Sequence, residues 1–111
     1  MTRSEFDSTI TRLQEVAEAI KKAKRPAYTF GKDDVLTNFK VVAERLGLSP
    51  LQVWAVYFLK HVDSLTTYAK DVRIPQAENV QGRFADAYNY LELGYALYVE
   101  DLTKVKGVDP K

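Results

Sequence analysis

The side chains best placed to do chemistry stand in apolar company along the second half of a 111-residue chain. Lys60 and His61 interrupt the apolar run that begins at Val53. Further on, Arg83, Asp86, Asn89 and Tyr90 recur at three- and four-residue steps among Tyr, Leu and Ala. A buried polar group must find a partner or cost about 1–3 kcal/mol, so each of these is a structural lock or a site residue. Lys60 either snorkels at the edge of a bundle or offers a cation to a phosphate-bearing ligand. Asp63, one turn on, offers it a plain ion pair. His61 comes within helical reach of Tyr57, Phe58 and Leu65, as a hydrogen-bonded core histidine, a ligand or a base. Asp86 and Asn89 read as an Arg83–Asp86 or amide–backbone lock, or as a carboxylate and an amide facing a pocket. Glu78, Gln81 and Arg83 would add polar contacts at the entrance to that helix.

Three other patterns carry less. Glu15 and Glu18, spaced i,i+3, can share a metal, but the same spacing is common on any exposed helix. Tyr88, Tyr90, Tyr95 and Tyr98, with Trp54, Tyr57 and Tyr68, can stack on a nucleobase or fill a wet rim or an interface. The stretch from Val42 to Val53 has the spacing of a DNA-binding helix-turn-helix, with Ala43, Gly47 and Val53 at its small, turn and core positions. Its reading helix would then be Leu51 to Phe58, where Gln52 alone can address a base edge, so DNA binding is not expected.

The elements that must position these groups are helical. Apolar residues recur at three and four along about 4–24 (Phe6, Ile10, Leu13, Ile20), 34–46, 50–70 and 79–102. Thr2 with Glu5, or Ser4 with Asp7, caps the first helix, and Pro26 is expected to stop it. Asp33 or Asp34 would cap the second, and Gly47 would close it. Ser49, Pro50 and Gln52 form a strong start for the third. Arg83, Asp86, Asn89, Tyr90 and Leu93 fall on one side of the last helix, and Phe84, Tyr88, Leu91 and Tyr95 on the opposite side. The third and fourth helices are apolar on more than one side, which in so small a domain predicts cover by a second subunit, a homo-oligomer.

Composition bounds the class. With 46% apolar and 28% charged residues, the chain suits one globular domain over 1–111. The absence of cysteine excludes disulfides, thiolate metal sites and cysteine nucleophiles. A net charge of +1 argues against a protein built to grip phosphate backbone. No apolar stretch approaches the ~20 residues of a bilayer span, and the start MTRSEFDST has no apolar signal core, so a cytoplasmic location away from membranes is expected. The fold class is all-α, a four-helix bundle-like single domain.

Taken in order, Tyr28-x-Phe30-Gly31, Asp34-x-Leu36-x-Asn38-Phe39, Gly47-x-Ser49-x-x-Gln52-Val53, Lys60-His61 and Asp86-x-x-Asn89-Tyr90 resemble a group of small helical phage and prophage proteins. That group is allied to the nucleotide-modification-associated domains and, more distantly, to the MazG-type all-α nucleoside triphosphate pyrophosphohydrolases. The resemblance implies an oligomer that handles nucleotides in the cytoplasm of an infected or lysogenic bacterium. As an enzyme, it would hydrolyse a nucleoside triphosphate with Mg²⁺. Asp86 would be the metal-side carboxylate, His61 would act with it in catalysis, and Asn38, Lys60, Arg83, Asn89 and Tyr90 would hold the ligand. Gly82 and Arg83 stand where the pyrophosphohydrolases carry the first acid of the pair, and the third helix lacks an acidic pair. A protein that binds a nucleotide or cyclic dinucleotide without cleaving it is therefore the alternative, with a structural interaction bundle as the third reading. The site is expected between the third and fourth helices near the Tyr28–Asn38 segment.

Overall fold

The computed structural model describes residues 1–29, 33–76 and 79–106, with side chains given through Lys24 in the first helix and through Thr103 in the last. The side chain of Tyr28, together with Phe30, Gly31 and Glu78, lies outside the described residues. Four helices follow one another: α1 (Arg3–Thr29), α2 (Thr37–Leu46), α3 (Pro50–Lys70) and α4 (Val80–Lys106). Among the described residues there is no strand, and the chain is an all-α single domain.

Local chemistry sets most boundaries. Thr2 and Glu5 exchange side-chain-to-backbone hydrogen bonds of 3.0 and 3.1 Å, a reciprocal cap for α1. α1 then passes through Pro26 to Thr29, beyond its expected end. Proline removes one backbone donor there, and the helix continues with that bond missing. α2 starts later than expected. The Asp34 carboxylate accepts from the Leu36 N–H at 2.9 Å, and its carbonyl accepts from the Thr37 hydroxyl at 2.6 Å, so residues 34–36 form a turn. Gly47 ends α2 with φ 70°, a left-handed cap. Ser49 and Gln52 form the capping box of α3, with Pro50 in its first turn. At α4 the Asn79 side chain accepts from the Gly82 N–H at 3.2 Å.

α4 is the shared element, packing on α3 along one flank and on α1 along the other, while α2 lies against α3 and α1. Leu36, Phe39, Ala43, Val53, Tyr90 and Leu97 make the buried core. Phe39 meets the Tyr90 ring edge-on, with centroids 6.2 Å apart. Trp54 stacks on Phe58 at 5.0 Å and donates its indole N–H to the Tyr90 carbonyl at 2.6 Å, tying α3 to α4. No helix is long and apolar enough to cross a membrane.

Candidate functional site

The two faces read from the α4 sequence separate in space. Asp86, Asn89 and Tyr90 are buried, while Phe84, Leu91 and Tyr95 point outward. α1 covers the Asp86–Asn89 flank. There a hollow of about 240 Å³ opens between α1 and α4 and is closed on one side by Val35. Ile20, Val35, Tyr90, Leu93 and Ala96 give it apolar walls, and Lys21, Lys24, Asp86, Asn89 and Glu92 supply the polar groups. A volume of this size exceeds that of a few waters, about 30 Å³ each, and lies just below the ~300 Å³ where drug-sized pockets begin.

Four polar contacts surround the hollow. The Lys24 ammonium sits 3.3 Å from Asp86 Oδ1, with the carboxylate nearly enclosed and the lysine half exposed. Lys21 reaches Glu92 at 2.6 Å and Glu18 at 3.4 Å. The hydrogen bond to Glu92, aided by Glu18, holds the Lys21 ammonium above the usual lysine range. The Asn89 amide donates from Nδ2 to the Ala17 carbonyl at 2.9 Å, which fixes the orientation of the group. Its Oδ1 is then buried and accepts no hydrogen bond among the described residues.

The remaining expected site residues fall elsewhere. The side chains that line the hollow come from α1, α4 and Val35, so it lies on the α1 side of α4, not between α3 and α4 as expected. Lys60 is exposed on α3 and His61 is half-buried there, its ring centroid 4.6 Å from that of Tyr90. Arg83 turns toward α3 and donates from Nη1 to the Ser64 hydroxyl at 2.8 Å; its Nε is buried with no partner among the described residues. Asn38 is half-buried in the first turn of α2. Glu15 pairs with Arg12 on the exposed side of α1. Asp86, Asn89 and Tyr90 are thus brought together, and Asn38, Lys60, His61 and Arg83 are not part of the same hollow.

Lys21, Lys24 and Glu92 are wall residues that the sequence reading did not place there. The signal was present: Lys21 and Lys24 continue the three- and four-residue steps of Ala17 and Ile20. Their grouping at a helix end reads equally well as neutralising the helix dipole.

The donor set does not match a magnesium cage. Asp86 and Glu92 each face a lysine ammonium already, and an ammonium 3.3 Å from Asp86 stands where the cation would sit. What the arrangement offers is a greasy slot with hydrogen-bond acceptors in its wall and two cations at its border. No family model, curated protein or solved structure matches the chain.

Proposed function

We propose that the protein binds a nucleotide without cleaving it, with the base in the hollow between α1 and α4. The observation that carries this reading is the Asn89 Oδ1, held by the bond of its own amide to Ala17 and lacking a donor among the described residues. A buried acceptor left in that state costs about 1–3 kcal/mol, and a ligand N–H relieves the cost. Asp86, one turn away, lines the same hollow as Asn89 and carries further acceptor oxygens. A nucleobase has the matching form: flat apolar faces for Ile20, Leu93 and Tyr90, and an edge carrying N–H groups. Two neighbouring acceptors favour a base with an exocyclic amino group. Lys24, half exposed at the border, is the cation within reach of an attached phosphate.

A thermal-shift panel of nucleobases, nucleosides and nucleotides tests the reading, with pyrophosphate release in Mg²⁺ followed in parallel. At 100 times its Kd a ligand adds about 2.7 kcal/mol of stability. Stabilisation by amino-bearing bases without pyrophosphate release is the expected result. A flat response across the panel removes the proposal, and pyrophosphate release replaces it with hydrolysis.

A further inference from the structure

The outer face of α4 carries a second pattern, independent of the hollow. Phe84, Tyr88, Leu91, Tyr95, Tyr98 and Leu102 follow one another at steps of four, three, four, three and four. Those five steps average 3.6 residues, the repeat of the α-helix itself, so the six side chains stay on one face. Four of the six are exposed in this fold, Phe84 at 51%, Leu91 at 56%, Tyr95 at 63% and Tyr98 at 46%, while Tyr88 and Leu102 are half-buried. Single exposed apolar residues are ordinary, but a continuous stripe along about 27 Å of helix is an interaction surface.

We infer that a second copy of this chain covers the stripe, in a two-fold dimer whose α4 helices run antiparallel. Area is the first argument. A large side chain presents about 150–250 Å² when free, so the four exposed residues offer roughly 400 Å² of apolar surface. A standard interface takes about 800 Å² from each partner, of which some 55–65% is apolar. The seam supplies nearly the whole apolar share of one such interface, and its flanks supply the polar remainder. Spacing is the second argument. The sequence of steps reads the same in both directions, so a two-fold axis at the level of residue 93 sets Phe84 opposite Leu102, Tyr88 opposite Tyr98 and Leu91 opposite Tyr95. The same patch then serves both partners, as a two-fold interface requires.

The dimer is tested by sedimentation equilibrium on the full chain. The expected mass is twice that of the chain, falling to a single chain in Tyr95→Glu with unchanged helical circular dichroism. Val56→Glu, at an equally exposed apolar site on α3, should leave the dimer intact. Since the chain has no cysteine, introduced thiols report the direction of pairing. Phe84→Cys alone should not cross-link, and Phe84→Cys with Leu102→Cys should. A monomeric parent chain, a dimer that survives Tyr95→Glu, dissociation in Val56→Glu, or an 84-to-84 cross-link overturns the inference.

Discussion

The indole of Trp54 occupies the space that a side chain at Gly94 would need. A Cβ built on Gly94 would stand 2.4 Å from two carbons of the six-membered ring of Trp54 and 2.8 Å from its Nε1. The ring cannot retreat freely, because Nε1 is bonded to the Tyr90 carbonyl and the indole is stacked on Phe58. Gly94→Ala is therefore expected to lower the urea-unfolding free energy by about 1–3 kcal/mol, the usual cost of overpacking, despite the better helix propensity of alanine. An unchanged or raised midpoint would show that α3 and α4 are not locked at this point.

Lys24 and Asp86 join the two walls of the hollow. Lys24→Met leaves a nearly enclosed carboxylate without its cation, and a loss of about 1–3 kcal/mol in urea unfolding is expected. Replacing the pair together, as Lys24→Met with Asp86→Leu, should cost less than Lys24→Met alone, because no uncompensated charge then remains. Simple additivity of the two single changes would contradict this coupling.

Two other lysines set an alkaline limit. Hydrogen bonds to Asp34 first, and then to Glu100, hold the Lys40 ammonium above the usual lysine range, as Glu92 and Glu18 do for Lys21. A cation whose folded pKa exceeds its unfolded one stabilises the fold fully below the unfolded value. That stabilisation is lost as pH rises through the folded value. The contribution should thus be complete at neutrality and fade above about pH 10.4. Urea midpoints measured from pH 8 to 12 should fall less steeply in Lys21→Met with Lys40→Met than in the parent chain. Parallel curves would show that these pairs do not couple folding to alkaline titration.

These contacts also show what could be read from the chain before its fold. The start of α3 was legible because Ser49, Pro50 and Gln52 act on their own backbone, within four residues. Gly47 was legible for the same reason. The end of α1 was not, since a proline penalty of one lost bond does not by itself decide where a helix stops. The start of α2 was misread because the Asp34 side chain bonds Leu36, closing a turn ahead of the helix rather than capping its first turn. On α4 the periodicity separated a polar face, with Asp86 and Asn89, from an outward face with Phe84 and Leu91. It could not tell which neighbour would meet each flank. Asn89 turned to Ala17 of α1 and Arg83 to Ser64 of α3, so one expected site became two neighbourhoods.

The central claim rests on Asn89, and calorimetric titration with the nucleoside monophosphates of all four bases tests it most directly. Asn89→Leu keeps the volume of the wall and removes the acceptor, while the Ala17 carbonyl retains its place in the α1 backbone ladder. Saturable binding of an amino-bearing nucleotide to the parent chain is expected, weakened at least about tenfold in Asn89→Leu, a loss of about 1.4 kcal/mol, and unchanged in Lys60→Ala. Equal affinity in Asn89→Leu, or no binding by any of the four, would contradict the account.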